Sequence, residues 1–84
     1  MYVYVVQMPN TTIPEWTLTD RMAKAMRAAG KSPGLIAEEF GVHRNTVSGW
    51  LHGRIKPSTT TLRLWAVTMN VPYEWLINGD EIAA

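Results

Sequence analysis

The chain contains no cysteine among its 84 residues, which excludes disulfide bonds, thiolate metal sites and cysteine nucleophiles. No segment approaches the roughly 18 consecutive apolar residues that a membrane-spanning helix requires. The N-terminus is apolar, but it lacks the basic residues and the small-residue cleavage site of a signal peptide. We therefore expect no membrane partner.

Charged residues are also scarce, at 18% of the chain, whereas apolar residues reach 46%. This composition is typical of a globular protein, and the length suffices for one small domain. The net charge is only +1, but no acidic residue lies between Glu39 and Glu74. That window holds four basic residues, Arg44, Arg54, Lys56 and Arg63. Their clustering indicates an anion-binding face, and a solvated face that arose by chance is the alternative.

Residues 2–8, YVYVVQM, are β-branched and aromatic, which favours a β-strand that ends at Pro9. A lone strand cannot satisfy its own backbone groups, and we find no convincing second strand. The strand therefore pairs with its twin in another subunit or lies across helices. We assign residues 1–16 as an N-terminal strand and loop that could serve as a dimerisation arm.

Residues 17–84 are predicted to form a domain of five short helices. Apolar residues recur at spacings of three and four, and in the first helix Arg21, Lys24 and Arg27 lie off the apolar stripe. Thr17 and Asp20 resemble a capping box, and Ser32–Pro33 is typical of a helix start. The predicted helix ends are Gly30, Gly41, Gly53, Asn70–Pro72 and Asn78–Gly79. Trp50, Trp65 and Trp75 occupy inward positions of this all-α bundle.

Residues 33–53, PGLIAEEFGVHRNTVSGWLHG, contain two short helices joined at Gly41. Ala37 allows the helices to approach closely, Gly41 permits a sharp turn, and Val47 and Trp50 attach the second helix to the first. This pattern predicts a helix-turn-helix, whose second helix enters the DNA major groove. The second helix spans about residues 44–52. Its polar side contains Arg44, Asn45, Ser48, Gly49 and His52, and His43 lies on the same side just before it.

The segment resembles the repressor and Cro-like helix-turn-helix family of the xenobiotic-response-element type. The matching residues are Ile36–Ala37, Gly41–Val42, Thr46–Val47, Trp50 and Gly53–Arg54, followed by Pro57, Leu62, Trp65–Ala66, Pro72, Trp75–Leu76 and Gly79. The resemblance covers about residues 17–79. It implies a compact five-helix, lambda-repressor-like DNA-binding domain, to which the N-terminal strand or arm is an addition. The resemblance also implies a small phage or prophage transcriptional regulator.

The resemblance, with the basic window, assigns roles to individual side chains. Arg44 suits guanine and Asn45 suits adenine. Gly49 is placed facing outward, where it allows close approach to DNA or leaves a base unread. The expected base-reading residues are Arg44, Asn45, Ser48 and Gly49. The expected phosphate-binding residues are Lys31, Ser32, His43, Thr46, His52, Arg54 and Lys56.

The predicted function is therefore sequence-specific binding of double-stranded DNA by a cytoplasmic bacterial regulator, without cofactor or small-molecule ligand. A homodimer is expected, through the N-terminal strand, the fifth helix around Tyr73, or both. The alternative is a protein-binding module on the same fold, an antitoxin or anti-repressor. We do not expect an enzyme, because Glu38 and Glu39 point about 100° apart on a helix, and His43 and His52 lack a third metal ligand.

Overall fold

The computed structural model describes residues 16–79, which form five α-helices. These are α1 (Leu18–Ala28), α2 (Pro33–Phe40), α3 (Arg44–Leu51), α4 (Thr59–Met69) and α5 (Tyr73–Asn78). Helix α1 contacts α3, α4 and α5, whereas α2 packs on α3 and α5 packs on α4. The predicted all-α bundle is thus confirmed for this range. The predicted strand at residues 2–8 lies outside the described residues.

The helices begin where the capping signals predict. Thr17 and Asp20 form the capping box of α1: the Thr17 N–H donates to Asp20 Oδ2 at 3.0 Å, and the Asp20 N–H donates to Thr17 Oγ1 at 3.4 Å. Ser32 Oγ accepts from the Leu35 N–H at 3.1 Å, at the start of α2. Ser58 does the same for Thr61 of α4, also at 3.1 Å. These bonds satisfy backbone donors that the first helical turn leaves without partners.

The turn between α2 and α3 depends on Gly41, whose φ of 70° is left-handed. This conformation carries little cost for glycine and lets the next N–H groups bond back to the helix. The Val42 N–H donates to Ala37 O at 3.0 Å, which completes the end of α2. Three residues, Gly41, Val42 and His43, separate α2 from α3.

Three aromatic rings from three helices form the centre of the core. The rings of Phe40 (α2) and Trp65 (α4) lie 5.9 Å apart, and that of Trp50 (α3) lies 6.3 Å from each of them. Trp65 is fully buried, and its indole Nε1–H donates to Met22 O of α1 at 3.2 Å. The inward positions predicted for Trp50 and Trp65 are confirmed. Trp75 is half-buried.

Arg21 is buried, so the prediction that it lies off the apolar face of the first helix is wrong. Only 8% of the residue is exposed. Its guanidinium donates to Leu76 O at 2.7 Å, to Ile77 O at 3.0 Å and to Trp16 O at 2.6 Å. The first two carbonyls belong to the last turn of α5, where a helix favours a cation. Arg21 therefore links the start of the domain to its end.

Across residues 16–79, no helix has the length and apolar character needed to cross a bilayer.

The capping box predicts a measurable acid dependence of stability. The backbone N–H of Thr17, followed by its hydroxyl, holds the pKa of the Asp20 carboxyl below its ordinary value of 3.8. The folded state therefore binds fewer protons here than the unfolded state, and the resulting stabilisation is present above about pH 4. It is lost as the pH falls through the lowered pKa. We expect Asp20→Asn, which retains an acceptor without a charge, to flatten the decline in unfolding free energy between about pH 5 and pH 2.

Urea denaturation across that pH range measures the effect. Glu38→Gln is the matched control, because it removes an exposed carboxylate that lies outside the cap. An acid dependence of Asp20→Asn equal to that of the control would contradict the prediction.

Candidate nucleic-acid interface

Helix α3 divides into a buried face and an exposed polar face. Val47 is fully buried and Trp50 nearly so, and both pack into the core. Arg44 and Asn45, in the first turn, are exposed. The packing of the buried face thus leaves the N-terminal half of α3 open to a ligand, as the helix-turn-helix pattern predicts.

His43 caps α3. Its Nδ1 accepts from the Asn45 N–H at 3.0 Å. Because Nδ1 acts as an acceptor, the proton of the neutral ring lies on Nε2, where it is available as a donor. The side chain is exposed, whereas Thr46 in the same turn is half-buried.

Arg44 lies beside the start of α2. A Cβ added at Gly34 would be 4.0 Å from Arg44 Nε, so the guanidinium passes over the first turn of α2. That turn is capped by the exposed Ser32. A basic side chain and a helix N-terminus therefore lie together, and both attract anions.

Three polar side chains meet at the other end of α3. Ser48 Oγ lies 3.3 Å from His52 Nδ1 and accepts from Arg54 Nη2, also at 3.3 Å. His52 Nδ1 is also 2.9 Å from Ser48 O, a carbonyl, so this nitrogen is the donor. Ser48 is thus already hydrogen-bonded within the protein, while Arg54 and His52 are exposed.

The prediction that Gly49 faces outward is wrong. Gly49 is buried under Ile55 from the loop after α3. A Cβ at this position would lie 2.6 Å from Ile55 Cδ1. The helical periodicity places residue 49 near the polar side, but it contains no information about a loop that folds back over it.

The remaining basic residues of this region differ in whether their side chains already have a partner within the protein. Lys31 Nζ forms an ion pair with Glu39 at 3.0 Å, so part of its charge is already neutralised. Lys56 is exposed on the loop after α3. Arg63, the fourth base of the acid-free window, lies 4.4 Å from the centre of the Tyr73 ring, against α5. The four bases of the window are therefore carried by different elements: α3, the loop after it, and α4.

Comparison with known proteins agrees with this geometry. The HTH_3 family model, described as helix-turn-helix, matches residues 22–76. The chain belongs to the HTH_3 family. HTH_3 is a family of DNA-binding regulators and not of enzymes, and the match confirms the predicted family.

One curated relative in this comparison is the antitoxin HigA-1 of Vibrio cholerae serotype O1, with 42% identity over 41 residues. The match covers 49% of this HTH_3 chain and 39% of the antitoxin. The chain thus aligns with about two fifths of that relative. No solved structure matches the chain.

The hydrogen bond that caps α3 should contribute measurably to the stability of the domain. We expect His43→Ala to lower the unfolding free energy by about 0.5–2 kcal/mol, because the Asn45 N–H loses its acceptor. His43→Asn supplies an equivalent acceptor and should cost less. Urea denaturation near pH 7 measures the difference.

His52→Ala is the comparison variant, because it removes a histidine whose Nδ1 donates to Ser48 O at the end of α3. Its cost in unfolding free energy measures the loss of a histidine hydrogen bond outside the N-cap. Equal stability of His43→Ala and His43→Asn would contradict the capping role.

Proposed function

We propose that this protein is a sequence-specific transcriptional regulator of the Cro or repressor type, which inserts α3 into the major groove of double-stranded DNA. The observation that carries the proposal is the exposure of Arg44 and Asn45 in the first turn of α3, on a helix whose other side is buried in the core. Recognition helices of this architecture contact base edges through their N-terminal residues.

Base reading is assigned to the first turn of α3. Arg44 can donate two hydrogen bonds to a guanine, and Asn45 can pair with an adenine in the same bidentate way. Ser48 lies one turn further on and already accepts from Arg54. It therefore contributes to recognition through its hydroxyl proton or through the side chain that it holds.

Phosphate binding is assigned to groups on both sides of that turn. Ser32 and Thr46 lie near helix N-termini, whose free N–H groups attract phosphate. His43 offers its Nε2–H. At the other end of α3, His52, Arg54 and Lys56 are exposed. Lys31 contributes least, because its ion pair with Glu39 has to be shared or broken.

Selection from a random duplex library at about 0.15 M salt tests the proposal. We expect the wild type to enrich a near-palindromic site. Arg44→Ala should lose the preference at one base pair in each half-site, since a bidentate arginine–guanine pair contributes about 1–3 kcal/mol of discrimination.

Arg27→Ala is the matched control: it removes the same charge from an exposed position of α1, outside the residues assigned to DNA contacts and to the dimer. It should enrich the wild-type site unchanged. Failure of the wild type to enrich any sequence would contradict the proposal, and an Arg44→Ala site identical to that of the wild type would remove Arg44 from the base-reading set.

The second candidate function is that of an antitoxin, which is favoured by the likeness to the HigA-1 antitoxin. An antitoxin that acts only through a protein partner would bind DNA weakly. Its affinity for a duplex would then lack the steep salt dependence that phosphate contacts produce. The slope of affinity against salt therefore separates this candidate from a DNA-binding regulator.

We also propose that the protein binds its site as a homodimer. Two recognition helices reach successive major-groove faces only when a dimer spaces them about one helical turn of DNA apart. The apolar strand predicted at residues 2–8 and the α5 surface around Tyr73 are the two candidate contacts. Removal of residues 1–9 should convert the dimer to a monomer in sedimentation equilibrium if the strand forms the contact.

Tyr73→Asp in the full chain tests the other surface. A dimeric mass retained after removal of residues 1–9 would contradict a dimer held by the strand alone, and a dimeric mass retained when both changes are combined would contradict both surfaces.

A further inference from the structure

We propose that Ile55, whose side chain packs on Gly49, positions Arg54 and Lys56 against the DNA backbone. This inference rests on the proposed function and names a residue pair that directs the phosphate contacts. Neither residue carries charge or a polar side chain. Their contribution is geometric: they hold the loop after α3 in one place relative to the recognition helix.

The contact between the two residues is closer than any larger side chain at position 49 would allow. A Cβ at Gly49 would lie 2.6 Å from Ile55 Cδ1, 2.8 Å from Cγ1 and 3.3 Å from Cβ. Isoleucine is β-branched and has few alternative rotamers. Rotation of the side chain can move Cδ1 and Cγ1 away, but the contact with Ile55 Cβ at 3.3 Å is relieved only when the loop shifts by a few tenths of an ångström.

The backbone of Gly49 holds the same loop. Gly49 O accepts from the Arg54 N–H at 2.9 Å and from the Ile55 N–H at 3.1 Å. The Arg54 side chain then reaches back to Ser48 Oγ at 3.3 Å. Gly49 thus holds the loop in two ways. Its carbonyl accepts two backbone hydrogen bonds, and its lack of a side chain leaves the space that Ile55 occupies.

The neighbours of Ile55 carry the charges. Arg54 and Lys56 are exposed on either side of it, so the position of Ile55 determines where two cations stand relative to α3. A phosphate contact requires a cation within a few ångströms of its oxygen, and a loop fixed in advance lowers the entropy cost of forming that contact. Arg44 lies at the opposite end of α3, so base reading by Arg44 does not depend on this loop.

Ile55 is 43% exposed, so direct contact with DNA is the competing role for this side chain. The two roles make opposite predictions for a pair of substitutions. If Ile55 acts by positioning, the defect of Gly49→Ala comes from overlap with Ile55, and Ile55→Ala should relieve it. If Ile55 touches DNA, the two substitutions should weaken binding additively.

The experiment measures affinity for a random-sequence duplex of about 25 base pairs at several salt concentrations. The full-length wild type, Gly49→Ala, Ile55→Ala and the double variant are compared. Each phosphate contact contributes about 0.9 to the slope of log K against log salt. We expect Gly49→Ala to lose one to two phosphate contacts, which reduces the slope by about 0.9–1.8 and weakens binding roughly eight- to sixty-fold at 0.1 M salt if affinities converge at 1 M.

Ile55→Ala alone should lower the slope less than Gly49→Ala, because the two backbone bonds to Gly49 O still hold the loop. The double variant should behave like Ile55→Ala and so regain most of the slope and affinity lost in Gly49→Ala. Duplex selection with Gly49→Ala should return the same bases as the wild type, a result that general unfolding of α3 would not give. Circular dichroism and urea denaturation establish that each variant is folded. Amide hydrogen exchange in the free protein provides a readout without DNA, since the Arg54 and Ile55 amides should exchange faster in Gly49→Ala and regain protection in the double variant.

Each contrary outcome identifies what has failed. An unchanged slope in Gly49→Ala, additive losses in the double variant, or equal exchange of the two amides in all variants would overturn the positioning role alone. Weak binding by the wild type without a steep salt dependence would overturn the proposed function, and this inference with it.

Discussion

The contact of Trp65 with Trp50 and Phe40 is the interaction on which the arrangement of the helix-turn-helix depends. It joins α2, α3 and α4 through rings about 6 Å apart, and the indole N–H of Trp65 extends the connection to α1. Edge-to-face aromatic pairs add to the free energy of burying the rings. Loss of a buried tryptophan costs about 3–5 kcal/mol, a large part of the stability of so small a domain.

The two sides of α3 follow from that packing. Because Trp50 and Val47 must be buried, the first turn of α3 is directed to solvent together with Arg44 and Asn45. Several polar groups near this surface also serve the local structure: His43 caps the helix, and Ser48 bonds to Arg54. Such bonds fix the orientation of the face before any ligand arrives, and rigid presentation reduces the entropy cost of binding.

The family match covers residues 22–76, and Arg21 joins the two ends of that range. Its guanidinium binds carbonyls of Leu76 and Ile77 in α5 and of Trp16 before α1. A buried cation is costly unless its donors are satisfied. Here the carbonyls at the end of α5 satisfy them, so the start of α1 and the end of α5 are held together.

The helices of residues 16–79, the caps of α1 and α2 and the helix-turn-helix could be predicted from the sequence, because they depend on contacts within a few residues. Thr17 with Asp20, Ser32 with Leu35 and the turn at Gly41 are all of this kind. The apolar spacing also identified Trp50 and Trp65 as core residues. The burial of Arg21 and of Gly49 follows only from the packing of the whole domain. The partner of Arg21 at Leu76 lies 55 positions along the chain, and Gly49 is buried by a loop whose path periodicity does not encode. Both outcomes depend on where a distant or irregular segment comes to rest, and only packing of the whole domain determines that position.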